Sequence, residues 1–244
     1  MLEIRNLSVQ AEAKVIFQNF SLSIEDHKLT ALMGPNGSGK STLAQVIAGH
    51  PLYQVIEGEI FWEGENILEL KPEERSLRGI FLAFQYPPTI PGVSVAHFLR
   101  LILNAQEKWQ GKEQTKIAPF LKILKAQMKI LEIPWAFAER SVNEGFSGGE
   151  KKRLEMLQML ILQPTLVILD EVDSGLDIDA IKLVAKTAQS LDRSKTTLLV
   201  ITHYQRLLNY LHPDVVHILK DGIIVRSGSA DLAQELDLHG YSNL

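Results

Sequence analysis

Leu29-Thr30-Ala31-Leu32-Met33-Gly34-Pro35-Asn36-Gly37-Ser38-Gly39-Lys40-Ser41 decides the fold. The apolar run Leu29–Met33 reads as a buried strand, Gly34–Gly39 as a glycine-rich turn, and Ser41–Ala48 as a helix stopped by Gly49 and Pro51. In that order they make a phosphate cradle. The glycines let backbone N–H groups converge on phosphate oxygens, and the helix start adds about half a positive charge. Lys40 reaches the outer phosphates and Ser41 offers a hydroxyl to Mg2+, so a nucleoside triphosphate is the expected ligand.

On either side of this stretch, Leu2–Val9 and Phe20–Glu25 alternate as strands exposed on one face. Glu59–Trp62 reads as another strand with Gly64 in its turn, and Ile80–Phe84 as a short apolar one. From Val95 to Ala138 apolar residues such as Ile117, Phe120, Leu121 and Leu124 recur at helical spacing, which predicts a helical lobe. Ser147 is a good N-cap with Glu150 three residues on, opening a helix that runs to about Gln163. Leu166–Leu169 and Thr197–Ile201, separated by the amphipathic Asp179–Leu191, predict a parallel sheet with crossover helices. A hairpin turning at Asp221-Gly222 and a helix near Ala230–Leu238 close the chain.

The strand Leu166-Val167-Ile168-Leu169 ends in two adjacent carboxylates. Asp170 is expected to hold Mg2+, directly or through its water, and Glu171 to orient and deprotonate an attacking water. Asp177 and Asp179 read equally well as acids complementing a helix N-terminus. Gln85 and His203 fall at strand carboxyl ends, where ligands bind in open α/β sheets. Taken singly, they are a polar loop residue and a surface histidine. His27, His97 and His239 show no metal-ligand spacing.

Composition sets limits. The 25 Lys and Arg against 29 Asp and Glu give a net charge of -4, so no global positive field draws in nucleic acid or an anionic membrane. Any polyanion must be gripped locally. With no Cys among 244 residues there is no thiolate to hold zinc or an iron–sulfur cluster. Glu3 and Arg5 interrupt any signal-like apolar stretch, and Pro87, Pro88 and Pro91 break the uncharged run between Arg78 and Arg100, so a cytoplasmic protein without membrane insertion is expected.

Phe146-Ser147-Gly148-Gly149-Glu150 is unusual for an ordinary helix start, because paired glycines weaken what Ser147 caps. A second phosphate group lying there explains it. Together with the earlier motifs, and in the same order over nearly the whole chain, it resembles the ATP-binding cassette (ABC) ATPases. The resemblance implies an α/β fold in one domain, residues 1–244: a P-loop NTPase core with a mixed sheet and an antiparallel β region (about 1–85 and 165–244), and a helical lobe (about 86–164). It implies ATP and Mg2+ as cofactors and ATP-dependent homodimerisation. Gly34, Pro35, Asn36, Gly37, Ser38, Gly39, Lys40, Ser41 and Thr42 become the phosphate loop, and Lys40 a catalytic residue. Ser41, Gln85 and Asp170 become the metal residues, with Gln85 linking metal or water to the lobe. Ser147, Gly148 and Gly149 face the partner subunit's γ-phosphate. Glu171 is the base, Asp177 lies in the loop crossing the dimer, and His203 senses the γ-phosphate.

Within that superfamily the chain is most similar to the soluble ATPases of the sulfur-mobilisation (SUF) system for iron–sulfur cluster assembly. The likeness is carried by Phe84-Gln85-Tyr86-Pro87 with Ile90-Pro91-Gly92-Val93, by Gly145–Arg153, by Asp173–Ala180, and by Thr202-His203-Tyr204-Gln205-Arg206. Transporter cassettes usually carry Leu and Gln where Phe146 and Glu150 stand. The implied partners are SufB- and SufD-like scaffold proteins, contacted near Gln85–Val93. Three positions depart from the pattern: no aromatic lies between Leu7 and Ile16 to stack the adenine, Thr89 replaces a common acid, and Leu154 replaces a common Asn. The competing readings are the ATP-binding subunit of a membrane transporter and a binding module that does not turn over; Glu171 argues against the latter. A cation of Lys151–Arg153 pairing with Glu171 would keep the base idle in a lone subunit.

Overall fold

The computed structural model describes every residue except Ala13, Gln85, Tyr86 and residues 242–244. β1 (Leu2–Ala11) and β2 (Lys14–Ile24) form an antiparallel ribbon, with Leu2 opposite Ile24 and Ala11 opposite Lys14. β2 starts six residues before the expected Phe20. The reason is a pair of irregularities: Asn6 (φ 49) and Asn19 (φ 58) shift the register and break the alternation that marks a strand in sequence. Serine hydroxyls cover the dislocations, Ser21 Oγ accepting from Asn6 N (2.9 Å) and Ser8 Oγ from Asn19 N (3.2 Å).

β3 (Leu29–Met33) leads to α1 (Lys40–Ala48), then β4 (Tyr53–Trp62), β5 (Glu65–Asn66), α2 (Pro72–Leu77) and β6 (Ile80–Ala83). β4 also begins earlier than expected, because a kink at Gly58 (φ 99) hides its first half from the period-2 pattern. β7 (Ile90–Ser94), α3 (Val95–Trp109), α4 (Ile117–Ile130), a 3-10 turn at Trp135–Glu139, β8 (Ser141–Val142) and α5 (Gly148–Leu162) follow. The last stretch is β9 (Leu166–Asp170), α6 (Ile178–Gln189), β10 (Thr197–Ile201), α7 (Gln205–Leu211), β11 (Val215–Lys220), β12 (Ile223–Gly228) and α8 (Asp231–His239). The two-residue ladder of β7 on β8 and the short α2 and α7 left no periodic signal in the sequence.

One sheet has the order β2-β1-β4-β5 and is antiparallel; the other runs β12-β11-β3-β10-β9-β6, parallel except for the β11–β12 hairpin. Every residue of β3, β9 and β10 is buried, which is why these strands read as continuous apolar runs. Phe17, Phe20, Leu43, Ile47, Ile60, Ile168 and Leu199 belong to one core that joins both sheets to α1.

The chain forms two compact units. One comprises residues 1–84, 165–173 and 192–244 and contains both sheets; the other comprises 85–164 and 174–191 and is mainly helical. The second is built on Leu99, Phe120, Leu124, Met128, Leu154 and Leu157, all essentially inaccessible. Among the described residues no helix is long and apolar enough to cross a membrane.

Candidate active site

α1 starts without a capping side chain. Gly39 at its N-cap adopts φ 106 and ψ 0, and a Cβ there would lie 2.7 Å from the Phe17 ring. Gly37 (φ 80) and Gly39 therefore form a left-handed pair at a helix N-terminus, the geometry in which successive backbone N–H groups face an anion. Asn36 and Gly37 are exposed, while Ser38 is buried and its Oγ has no hydrogen-bond partner among the described residues. Thr42, the third residue of α1, is half-buried. Lys40 lies along the loop, its Nζ donating to Gly34 O (2.9 Å) and Pro35 O (3.0 Å). Burial holds its pKa below the usual lysine range, against the opposing pull of Glu171 and Asp170.

The parallel register places Asp170 opposite Ile201, and Ser41 Oγ donates to Asp170 Oδ1 at 2.9 Å. Glu171 leaves the strand in the left-handed region (φ 45), a conformation costing a non-glycine residue roughly 1–2 kcal/mol, and its N–H is held by Ile201 O at 2.9 Å. Simple strand alternation therefore does not separate the two carboxylates. The turn brings Glu171 Oε1 to 4.0 Å from Lys40 Nζ and 3.4 Å from His203 Nδ1. Those distances allow attraction, yet among the described residues His203 Nδ1 makes no hydrogen bond of acceptable geometry. The Tyr204 ring packs on His203 at 3.8 Å between centroids. Asp173, not singled out from the sequence, lies in the same group: Thr202 Oγ1 donates to its Oδ2 at 2.9 Å, and burial pushes its carboxyl above the usual range. Its signals in the sequence were its place two residues beyond the expected base and at the head of the Asp173–Ala180 motif.

In the helical unit, Ser147 caps α5 by accepting from Glu150 N (3.2 Å), and Glu150 accepts from Ser147 N (2.8 Å), so the capping box read from the sequence forms. These bonds and the Arg140 guanidinium hold the Glu150 carboxyl below its usual range; Arg140 also lies over Phe146 at 4.2 Å. Gly148 and Gly149 have open space where a Cβ would be and lie outside the left-handed region. Neither backbone strain nor packing within this chain explains them. Asp177 is exposed and caps α6 through Ala180 N (2.8 Å). Lys152 donates to Glu155 at 2.8 Å, Leu154 is fully buried, and Thr89 Oγ1 donates to Asn143 O at 3.4 Å. The expectations placed on Gln85 lie outside the described residues.

Mg2+ is characteristically held by one or two protein oxygens together with phosphate and water. The Ser41 hydroxyl and Asp170 carboxylate, already 2.9 Å apart, are oxygen donors of that kind. No cluster of three or more His, Asp or Glu suited to an all-protein metal cage occurs among the described residues.

Fold and loop geometry together define a nucleotide-binding cassette. Residues 17–174 match the family described as ABC transporter, and the chain belongs to that family: it is an ATP-hydrolysing cassette. Among its relatives, the protein called probable ATP-dependent transporter ycf16 of Pyropia yezoensis is 51% identical over 241 residues, covering 99% of this chain and 96% of the relative. Probable ATP-dependent transporter slr0075 of Synechocystis sp. is 50% identical over 244 residues, covering 100% and 95%. The dimeric structure of MJ0796, a bacterial ABC transporter cassette, superposes with a TM-score of 0.80 at 22% identity over 94% of this chain and 99% of that one, which shows the shared fold.

Proposed function

We propose that this cassette is the SufC-type ATPase of a SUF iron–sulfur assembly machine. Two copies would close face to face on ATP and drive rearrangement of SufB- and SufD-like scaffold proteins. The observation that carries the chemistry is the convergence of Lys40, Ser41, Asp170, Glu171 and His203 at one end of the parallel sheet. The loop amides and Lys40 bind the outer phosphates, Lys40 giving up its two carbonyl contacts to do so. Ser41 and Asp170 hold Mg2+, which when bound neutralises charge on the phosphate oxygens. Glu171 orients the water and takes its proton, while His203 steadies Glu171 and touches the γ-phosphate. Ser147, Gly148 and Gly149 of the second copy present an amide-rich helix start from the opposite side; the open space at both glycines supports such a close approach. Asp177 lies beside the dimer seam, and Gln85 carries the state of the nucleotide to the helical unit.

Assignment to the SUF machine rests on the Phe84–Val93, Gly145–Arg153 and Asp173–Ala180 motifs. In a chain with no thiolate, the cluster itself belongs on other proteins. A second reading, the cassette of a membrane transporter, is suggested by the relatives' names, each a probable ATP-dependent transporter. Affinity purification separates the two. Recovery with cluster scaffolds, and ATPase activity that rises when they are added, is the expected result; recovery with an integral permease overturns it. In that complex Glu171→Gln should lower turnover 10²- to 10⁴-fold with ATP still bound, and unchanged turnover removes Glu171 from the mechanism.

A further inference from the structure

Arg75, in α2, is 4% exposed, and its guanidinium is surrounded by carbonyl oxygens. Nη1 donates to Val46 O (2.7 Å) and Ile47 O (3.0 Å), Nε to Leu70 O (2.9 Å) and Nη2 to Leu68 O (2.9 Å). Among the described residues it forms no ion pair with a carboxylate, and its burial is opposed by no neighbouring acid. Val46 and Ile47 lie in the last turn of α1, whose first turn forms the phosphate cradle. Gly49, the C-cap of α1 (φ 82), lies flat against the same guanidinium: a Cβ there would be 2.9 Å from Arg75 Nε. A buried cation thus closes the negative end of the helix whose positive end receives phosphate.

We infer that Arg75 is a positioning residue for ATP binding, setting the axial position of α1 and hence of the cradle at its other end. α1 shares a core with the sheet through Leu43, Ala44 and Ile47, and because the apolar driving force is non-directional, it fixes the helix's axial position less sharply than hydrogen bonds do. The planar Arg75 fork is directional and ties the helix end to the 68–70 turn. The cradle's backbone N–H groups bond phosphate only when the helix start stands at the right depth, so a small slide of α1 is felt as weaker ATP binding. By reciprocity, anything at the Arg75 end that alters ATP affinity must itself be altered by ATP.

This inference rests on the phosphate loop being the ATP site, and the test separates the two claims. Binding of a fluorescent ATP analogue and steady-state ATPase are measured for the full chain, for Arg75→Lys, for Arg75→Met and for Lys40→Ala, all well below their unfolding temperatures. The Arg75 variants should bind ATP about ten- to a hundredfold more weakly, as expected if one or two hydrogen bonds to the charged ligand are weakened, with Lys milder than Met. The loss should appear in KM, with kcat at saturating ATP within about threefold, the pattern of lost uniform binding. If Lys40→Ala loses ATP while both folded Arg75 variants bind as the parent does, Arg75 is only structural and the inference fails. If Lys40→Ala binds normally, the site itself is misassigned. Should neither Arg75 variant fold, hydrogen exchange on the parent decides: ATP must slow exchange at Gly49 N and His50 N, which bond to Val46 O and Gln45 O. No change there overturns the proposal.

Discussion

Asp173 shows what a single buried carboxylate does to this site. Its folded pKa lies above the ordinary value of 3.8, chiefly because burial disfavours the charge, with the Thr202 hydrogen bond and His203 acting in the opposite sense. Below about pH 3.8 the group is protonated in folded and unfolded chains alike and exacts nothing. As pH rises through the raised value the unfolded chain ionises first, so the folded state loses stability and carries the full penalty above it. Asp173→Asn, which still accepts from Thr202, should therefore raise Tm at pH 7 and lose that advantage as pH is lowered toward 4. A thermal unfolding series over this range checks it, and a difference independent of pH would show that burial of charge is not the cause. The grouping of Lys40, Ser41, Asp170 and Glu171 was legible because spacing and residue type put them at neighbouring strand ends. The left-handed turn at Glu171 was not, since no local composition marks a φ of 45, and Asp173 became visible only when folding set it against Thr202.

At the scale of elements, α5 was readable to within a residue because a capping box is a local device: Ser147 and Glu150 satisfy each other with no help from afar. β2 and β4 were readable only in part, since their irregularities at Asn6, Asn19 and Gly58 depend on cross-strand partners distant in sequence. The glycines of α5 also separate stability from activity. Gly149→Ala adds a methyl into open space on a helix, where alanine is favoured by roughly 0.5–1 kcal/mol. The variant should melt no lower than the parent. If a partner copy's nucleotide approaches this backbone, the same methyl should abolish ATP-driven association, measured by sedimentation. A variant that associates and hydrolyses normally would leave the glycines without the role proposed for them.

For the whole molecule, the proposed pairing makes hydrolysis depend on encounter. Each site would take its phosphate loop from one chain and its serine–glycine helix start from another, so specific activity of the isolated protein should climb with protein concentration before levelling. ATPase assays over a hundredfold dilution, paired with light scattering, measure this. Constant specific activity in a sample that stays monomeric would refute the pairing. The formal net charge of -4 means that two copies repel weakly at long range, so the proposed scaffold partners, if they bring two copies together, would act by raising local concentration.

Lys40 is bonded to Gly34 O and Pro35 O within its own loop. An incoming triphosphate consequently swaps contacts instead of simply gaining them, and the enthalpy released on capture is a difference between two well-made arrangements. A ligand long enough to reach the lysine and the backbone amides together returns more for those two carbonyl contacts than one that reaches the lysine alone.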